Sequence, residues 1–375
     1  MKRMLVFCSR DGPSSKAGSV EQYVYQVFSR IAAEGHHVVW VAPRAGRRKS
    51  HSVEFVKGIQ IVRLGPRPLY RPLARMLVAR FVKSGKFGDQ FDAVIDCVIG
   101  KPLPLAADME SASDKEEVLP EVVPLVFDLD RRMCASDDPP GPVIAASKSA
   151  REVLMRAGFP ERLIVQAAYG VDVDALETSN QAVLAPGQHI AVVGKWTRGL
   201  FWALRRLAQD GDPVPVRLPH TSERRPRVPR RLAPFVTSCA NPEEAYAAAR
   251  FGYCAEGAEA EALVLGVFGV PAVCPATEAG AEYVIDGETG LLYPPGDKRT
   301  LAERFRLLLK DDVLCARLAA GAYAHAQQRT WKRTAGLVLA TIENLGRPPL
   351  ELDSVPSHGR TPSGSHTQWP PILHP

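Results

Sequence analysis

Short apolar runs alternate with helical segments along most of the chain, and this alternation constrains the fold more than any other feature. The first unit has an apolar run at 4–8, apolar residues at helical spacing over 20–34, Gly35 as a helix end and a second apolar run at 38–42. Continuous apolar runs are typical of strands buried on both faces, and strands that alternate with helices pair in parallel. Because the connection between such strands is right-handed, the chain is predicted to begin with a right-handed βαβ unit.

The alternation runs twice through the chain, which predicts two domains. Further strand-like runs of the first series lie at 54–64, 93–99, 124–130, 143–147 and 163–172. The second series begins with the run at 189–194 and includes an amphipathic helix at 300–310. Two such series predict an α/β protein with two facing Rossmann-like, doubly wound domains and a cleft between them. We predict that the domains cover residues 1–178 and 179–345.

The last segment of the sequence, residues 346–375, differs in composition. It contains seven prolines among Ser, His and Thr and has few apolar residues. Such a segment cannot bury enough apolar surface to offset the entropy of ordering, so we expect it to be disordered. A length of 375 residues accommodates two domains and this tail.

The charge balance is mildly basic. The chain carries 47 Lys and Arg residues against 41 Asp and Glu residues, a formal net charge of +6. This balance allows an anionic ligand or surface without requiring one. Six arginines crowd among prolines within 217–231, a segment that could contact an anionic membrane surface. Because the segment lacks interleaved aromatic residues, we expect no nucleic acid partner.

The cysteines and apolar runs indicate a cytoplasmic protein. The seven cysteines are scattered and never spaced as Cys-x-x-Cys, which argues against a disulfide framework or a structural zinc site. The apolar run at 4–8 is too short for a signal peptide, and no stretch approaches 18 uninterrupted apolar residues. No G-x-G-x-x-G follows the first strand of either domain, and neither a Walker loop nor a His-Glu-x-x-His helix occurs, which disfavours nicotinamide, nucleotide triphosphate and zinc protease chemistry.

Three segments resemble the group 1 glycosyltransferases of family 4. They are AGSVEQYVYQVFSRIAAEGHHVVWVAP (17–43), VIAASKSAREVLMRAGFPERLIVQAAYGVDVDAL (143–176) and EGAEAEALVLGVFGVPAVCPATEAGAEYVIDGETGLLYPPGD (256–297). Their order and spacing extend the resemblance over roughly residues 1–345. The resemblance implies the GT-B fold, with an acceptor-side N-terminal domain and a nucleotide-sugar-side C-terminal domain. Tyr169 departs from the pattern, since Asn is usual there.

The third segment is similar to the donor-site motif of that family, a Glu followed after seven residues by a second Glu. Counting back from Pro271 gives Glu256 and Val264. The resemblance implies that Glu256 contacts the donor sugar, where it is also a candidate catalytic residue. The second Glu would take the ribose hydroxyls, and valine cannot accept the hydrogen bond. A lost charged hydrogen bond is worth about 1.5–3 kcal/mol.

The residues after Glu256 also depart from the family. Gly257 matches, but Ala258 and Glu259 replace the usual Phe-Gly. The resemblance places Glu259 beside the donor diphosphate, where a like charge would weaken binding. A slip of register would instead make Glu259 or Glu261 the working carboxylate, although the Gly-x-Pro anchor at 269–271 argues against that alternative.

Cations and backbone amides are implied to hold the diphosphate without a metal. In the segment GKWTRG (194–199), Lys195 stands for the usual Arg and Arg198 for the usual Lys, in a loop about two residues shorter. The alternative is that both are solvated loop cations. Gly18 and Ser19, at the first βα turn, fit a close backbone approach to the diphosphate, unless Gly18 is an ordinary turn glycine.

The acceptor side lacks the histidine that the family carries at the end of the strand near 124–130. Asp128 or Asp130 occupies that region. A carboxylate there could act as a base or hold a hydroxyl, which makes Asp128 the second catalytic candidate. The alternative is that either Asp caps a turn.

The resemblance predicts a retaining hexosyltransferase that moves a sugar from a nucleotide-diphosphate sugar to a glycan or lipid-linked hydroxyl, with no cofactor and no metal. We expect it in the cytoplasm, with peripheral contact to the membrane. The alternative is a non-catalytic GT-B scaffold that acts as partner or regulator of another glycosyltransferase, favoured by Val264, Glu259 and the missing histidine. A sugar-nucleotide epimerase of the same fold is weaker, because the C-terminal segments resemble the transferases.

Overall fold

The computed structural model describes most of both predicted domains. The described residues are 1–10, 19–44, 53–83, 91–113, 119–129, 141–173, 187–211, 214–219, 228, 232–239 and 241–345. The predicted domain boundary at 178, the tail at 346–375 that the sequence predicts to be disordered and most of the Arg-rich segment at 217–231 lie outside this part of the chain.

The first sheet has eight strands among the described residues. They are β1 (Arg3–Cys8), β2 (His37–Arg44), β3 (Val53–Val56), β4 (Ile59–Pro66), β5 (Ala93–Gly100), β6 (Glu121–Leu129), β7 (Val143–Ala145) and β8 (Ile164–Gln166). Their spatial order is β3-β4-β2-β1-β5-β6-β7-β8, and every pair except β3 with β4 is parallel. The order reverses between β1 and β5, which is the switch point of a doubly wound sheet.

The strand-like run at 54–64 is divided between two strands, the edge strand β3 and its neighbour β4. Strands β3 and β4 form an antiparallel hairpin that turns at Lys57 and Gly58. Both residues have positive φ, 44° and 81°. Two consecutive positive φ values give a turn whose twist matches that of the flanking strands. The Lys-Gly pair, placed between two apolar alternations, is therefore the signal that divides the run.

Helices cover both faces of the first sheet. They are α1 (Ser19–Ala33), α2 (Tyr70–Lys83), α3 (Leu105–Ala112) and α4 (Lys148–Arg156). Tyr23 and Val27 of α1 are buried against one face, in a core that also holds Trp40. Ala74 and Val78 of α2 pack on the opposite face. These buried residues recur every three or four positions, so the helical spacing in the sequence corresponds to the face that meets the sheet.

The second sheet has six parallel strands in the described part. They are β9 (His189–Val193), β10 (Val216–Pro219), β11 (Val236–Cys239), β12 (Ala249–Cys254), β13 (Ala272–Pro275) and β14 (Gly290–Tyr293). Their order is β11-β10-β9-β12-β13-β14, so the first and fourth strands in chain order are neighbours at the centre. This is the strand order of a Rossmann-like domain, with its switch point between β9 and β12.

Seven helices complete the described structure. They are α5 (Arg198–Gln209), α6 (Pro242–Tyr246), α7 (Glu261–Val267), α8 (Glu278–Tyr283), α9 (Lys298–Lys310), α10 (Asp312–Gln328) and α11 (Trp331–Glu343). Leu200 of α5 and Phe305 of α9 bury themselves on one face of the second sheet. Tyr246 of α6 and Leu265 of α7 pack on the other. Helices on both faces confirm the predicted doubly wound architecture.

Helix α11 packs away from the sheet that precedes it in the chain. The sequence pattern assigns residues 331–343 to the C-terminal domain, yet Trp331, Val338 and Ile342 lie in the core of the first sheet. There the Trp331 ring meets Tyr23 of α1 edge-on, with centroids 5.6 Å apart. The apolar stripe of α11 predicts that one face of the helix is buried. It does not predict which of the two sheets covers that face.

The chain crosses between the two sheets at a close backbone contact. The Val171 N–H donates to the Arg329 carbonyl at 2.8 Å, and the Trp331 N–H donates to the Val171 carbonyl at 3.2 Å. A Cβ at Gly170 would lie 2.6 Å from the Thr330 carbonyl carbon and from the Trp331 nitrogen. Gly170 is therefore required where the two segments touch.

Candidate functional site

Five of the eight predicted donor residues lie at the carboxyl ends of the two central strands of the second sheet. Lys195 and Arg198 follow β9, and the loop from Glu256 to Glu259 follows β12. In doubly wound sheets, ligands bind outside the carboxyl ends of the strands at the switch point. Strands β9 and β12 flank that point, so both predicted loops lie where such a sheet offers a binding crevice.

The two loops touch each other closely. The Ala255 N–H donates to the Val193 carbonyl at 3.0 Å. Gly194 has a φ of +88°, and a Cβ there would lie 2.9 Å from the Ala258 Cβ and 3.1 Å from the Ala255 Cβ. A larger residue at 194 would combine backbone strain with a clash. Glycine at 194 therefore brings the cationic loop against the carboxylate loop.

The cationic loop is anchored by the residues between its two charges. Trp196 packs against the second-sheet core, while Lys195 and Arg198 are exposed. Thr197 caps α5, since its Oγ1 accepts the Leu200 N–H at 3.1 Å. The same oxygen lies 3.2 Å from the Tyr253 hydroxyl of β12. The helix start, which carries partial positive charge, and the two cations thus form one electropositive corner that suits an anion.

The carboxylate loop holds its two glutamates differently. Glu256 is exposed and lies two residues after the end of β12. Glu259 is buried, with only 5% of its surface exposed. Its Oε2 accepts the N–H of Gly257 at 2.8 Å, and Gly257 has a φ of +84° that favours glycine. Glu256 is therefore available to a ligand, whereas Glu259 is turned back to its own loop.

Val264 sits in an apolar environment on α7. It is half-buried and packs against two clusters, which include Val171 of the crossing segment and Ala326 of α10. An apolar side chain contributes to packing at this position and offers no acceptor to a hydroxyl. Position 264, the second position of the predicted donor motif, therefore lies in an apolar environment.

Glu261 is directed to another partner. The Tyr246 hydroxyl of α6 donates to its Oε2 at 3.3 Å. Burial raises the pKa of the Glu261 carboxyl, and the Tyr246 hydrogen bond opposes that shift. Glu259 therefore bonds to Gly257 and Glu261 to Tyr246, whereas the Glu256 side chain is exposed.

Glu282 of α8 joins the two sheets and was not found by sequence reasoning. Its Oε2 accepts the N–H of Lys148, the first residue of α4, at 2.7 Å. Its Oε1 accepts from Arg329 Nη2 at 2.9 Å. The two side chains are 5% and 18% exposed. Removing one partner of a buried ion pair is costly, because the other charge is left without compensation. Glu282 therefore holds the second sheet against α4 of the first domain.

Beside Glu282, Ser149 of α4 donates to Glu278 Oε2 at 3.0 Å. Tyr283 of α8 lies edge-on to Tyr169, with ring centroids 6.2 Å apart. Burial, followed by the charge of Glu282, raises the pKa of Tyr283 to about 12. Tyr169, which replaces the usual Asn, therefore serves as a packing residue between the two sheets. The signal in the sequence is that an aromatic residue, Tyr169, stands where the resembling family has a polar one.

On the acceptor side, the structure describes only part of the predicted site. Gly18 and Asp130 lie outside the described residues, while Ser19 begins α1 and Asp128 lies in β6 beside Ile99, at a register shift between β5 and β6. The side chains of Ser19 and Asp128 are not among the described parts. Their roles stay predictions.

Asp96 is a buried carboxyl that the sequence interpretation missed, although a lone Asp in the apolar run at 93–99 marks it. It lies in β5 at the switch point of the first sheet, 4% exposed. Its Oδ2 accepts the Leu103 N–H at 2.7 Å. Burial raises its pKa to about 7, against smaller opposing effects of that hydrogen bond and of Arg71. Asp96 holds the loop that follows β5.

The described residues contain no group of three His, Cys, Asp or Glu side chains that could hold a metal ion. The six cysteines described are free thiols. Across the described part of the chain, no helix combines the length and apolarity needed to cross a membrane.

Comparison with known proteins confirms the fold and the resemblance. Residues 260–325 match the family model described as glycosyl transferases group 1. A search of curated proteins finds no match. The structure is similar to a glycosyltransferase from Rickettsia africae ESF-5 at 12% identity and a TM-score of 0.67, covering 92% of this chain and 100% of that one.

Two further similar structures have the same architecture. Sucrose-phosphate synthase from Thermosynechococcus elongatus matches at 17% identity, a TM-score of 0.63 and coverage of 92% and 99%. HepE of Anabaena, solved in complex with UDP and glucose, matches at 16% identity, a TM-score of 0.61 and coverage of 92% and 100%. The fold is therefore of the GT-B type, as predicted.

Proposed function

We propose that this chain is a retaining glycosyltransferase that transfers a hexosyl group from a nucleotide-diphosphate sugar to a hydroxyl of a glycan or lipid-linked acceptor. One observation carries the proposal. The exposed cations Lys195 and Arg198 and the exposed carboxylate Glu256 belong to two loops in contact at the β9/β12 switch point, where Gly194 lies against Ala255 and Ala258.

The electropositive corner supports the binding of a diphosphate. Lys195 and Arg198 flank the capped start of α5, and a helix start with cations stabilises the negative charge that grows on a leaving phosphate. Glu256 would accept hydrogen bonds from sugar hydroxyls. Gly18 and Ser19 would supply backbone approach from the first domain, and Asp128 would orient or deprotonate the acceptor. Retention of configuration and independence of metal follow from the family resemblance.

The donor class is proposed as a UDP-hexose, because HepE of Anabaena was solved with UDP and glucose and with UDP-glucose. We further propose that the protein acts in the cytoplasm, at the membrane surface if its acceptor is lipid-linked.

A non-catalytic scaffold is the second candidate, and two observations favour it. Val264 places a packed apolar side chain where a donor-binding carboxylate is usual, and Glu259 places a buried carboxylate at the Gly257 amide. A scaffold of this kind would keep the two domains and bind no donor.

Calorimetry with UDP and with GDP separates the candidates. The transferase requires measurable binding, weakened at least tenfold in the double variant Lys195→Ala/Arg198→Ala, since each charged hydrogen bond is worth about 1.5–3 kcal/mol. The matched control is Arg205→Ala/Arg206→Ala, which removes two exposed cations further along the same helix. If neither nucleotide binds, the transferase is refuted and the non-catalytic scaffold is supported. If the two double variants bind UDP with equal affinity, the assignment of Lys195 and Arg198 to the diphosphate is refuted.

Donor turnover then tests the chemistry. Release of UDP from UDP-glucose in the presence of candidate acceptors should occur with the wild-type protein and fall in Glu256→Gln. Binding without any release across acceptor classes would favour the scaffold.

A further inference from the structure

One segment of the first domain carries positive charge without any acidic residue. Residues 57–88 contain eight Lys and Arg residues and no Asp or Glu. Their charge exceeds the net +6 of the whole chain. An acid-free run of this length requires a reason beyond solubility, because mixed charges serve solubility equally well.

Helix α2 carries four of these cations. Tyr70, Ala74, Val78 and Val82 form its buried face on the first sheet. All four cations are exposed; Arg80 and Lys83 lie opposite the buried face, whereas Arg71 and Arg75 lie nearer its margins and contact the loop after β5 and Asp108. Arg67, in the turn that precedes the helix, is also exposed. We call this surface the basic face of α2.

Two large apolar side chains project from the same surface. Met76 is 63% exposed, on the outer side of α2, and Leu69, just before the helix, is 53% exposed. Exposed apolar residues among Lys and Arg are typical of helices that lie in a lipid interface, where the apolar groups enter the acyl boundary and the cations meet the headgroups. A surface for single-stranded nucleic acid would instead combine the cations with aromatic residues that stack on bases.

The acidic residues near the basic face belong to α3. Asp108 is engaged, since both of its oxygens accept from Arg75 at 2.7 Å. Glu110 is exposed on the same short helix. Between α2 and α3 runs a groove of about 400 Å³, lined by Arg75, Met76, Lys83 and Asp108 among others. Cations outnumber acids on this surface, so its field attracts anions.

We propose that the basic face of α2 docks on the surface of an anionic phospholipid bilayer. The position of α2 determines which side of the first domain would face the bilayer. Arg71 donates to the carbonyls of Lys101 at 2.9 Å and Pro102 at 2.6 Å, in the loop that follows β5. That loop lies at the β1/β5 switch point, so the docked face adjoins the crevice edge of the first domain.

The orientation matters for the acceptor, and that consequence rests on the proposed transferase. A lipid-linked acceptor held in the bilayer would reach the first domain without leaving the membrane. Docking itself does not depend on turnover, so the two proposals can fail separately.

Vesicle flotation tests the docking. The full chain is mixed with vesicles of phosphatidylcholine and phosphatidylglycerol in equal parts, and with vesicles of phosphatidylcholine alone. Binding is expected only to the anionic vesicles, and it should largely disappear near 1 M salt, where the Debye length is about 3 Å. Equal binding to both vesicles, or to neither, would overturn the proposal.

Variants locate the surface. Arg80→Gln/Lys83→Gln should weaken binding to anionic vesicles about thirtyfold, and Met76→Ser should weaken it in a way that salt affects little. The matched control Arg205→Gln/Arg206→Gln, on α5, should bind as the wild type does. UDP affinity measured on the same preparations should be unchanged. Equal losses in both double variants, or binding of an acidic peptide or RNA through these residues without vesicle binding, would refute a lipid surface.

Discussion

Removal of the Glu259 charge is expected to strengthen the binding of a nucleoside diphosphate. The side chain is 5% exposed, and its Oε2 accepts the Gly257 N–H at 2.8 Å. That amide lies in the loop after β12, beside the cationic loop. An incoming anion would meet a carboxylate that already occupies the amide and that repels a second negative charge. Glu259→Gln removes the charge and keeps an oxygen acceptor.

The magnitude follows from distance and dielectric. Two unit charges about 6 Å apart interact by about 3 kcal/mol at an effective dielectric constant near 20. A diphosphate in an open crevice stays partly hydrated, so roughly half of this energy should be realised. About 1.4 kcal/mol corresponds to a tenfold lower Kd for UDP. Glu259→Ala should gain at least as much, because it also frees the Gly257 amide.

Isothermal titration calorimetry with UDP measures the effect. Glu288→Gln serves as the matched control, since Glu288 is exposed and lies before β14, at the opposite end of the sheet from the loop. A Kd for Glu259→Gln within twofold of the wild type would refute the reasoning. An equal gain in Glu288→Gln would attribute the effect to net charge instead of position.

Three further predictions concern other parts of the chain. Val264→Glu should raise the affinity for UDP about tenfold, because it restores a hydrogen-bond acceptor. Urea unfolding of this variant should show a lower free energy of unfolding, because a carboxylate enters an apolar cluster. An unchanged affinity for UDP would reject the register assigned from Pro271. Glu282→Ala should lower the free energy of unfolding by about 3 kcal/mol, since the largely buried Arg329 guanidinium loses its carboxylate partner and keeps only the backbone carbonyl of residue 282, whereas Glu278→Gln should change it little. Burial raises the Asp96 pKa to about 7, above its unfolded value near 3.9, so the charged form opposes folding. Its protonated form stabilises the fold fully below about pH 4, and this contribution is lost as pH rises through 7. Urea midpoints at pH 5 and 8 should therefore differ less in Asp96→Asn than in the wild type, and an identical difference would contradict the assignment.

The sequence predicts the sheets well because buried parallel strands leave a continuous apolar pattern. Runs such as 38–42 and 93–99 become central strands β2 and β5. The pattern fails where it depends on a turn or on a distant partner. The Lys57-Gly58 turn divides a run into two strands, and helix α11 packs on the sheet that its place in the chain does not suggest.

The site is predictable only where the chemistry is carried by exposed residues in loops. Lys195, Arg198 and Glu256 are brought together because their loops follow adjacent strands, which the sheet order dictates. Glu282 and Asp96 were not predicted, because their roles depend on the burial of their carboxyl groups in the folded chain. Their partners, Arg329, the Lys148 amide and the Leu103 amide, become apparent only when the chain is folded.

The return of α11 to the first sheet has a consequence for how the protein is made. Trp331, Val338 and Ile342 complete the core that begins with Met4 and Tyr23. A chain emerging from the ribosome folds its N-terminal domain first when that domain is self-contained. Here the first domain cannot finish its core until residue 342 has been released, after the whole second sheet. The apolar surface of α1 in the newly synthesised N-terminal half therefore stays exposed until α11 has been made. Truncation after residue 330 should yield a protein that aggregates.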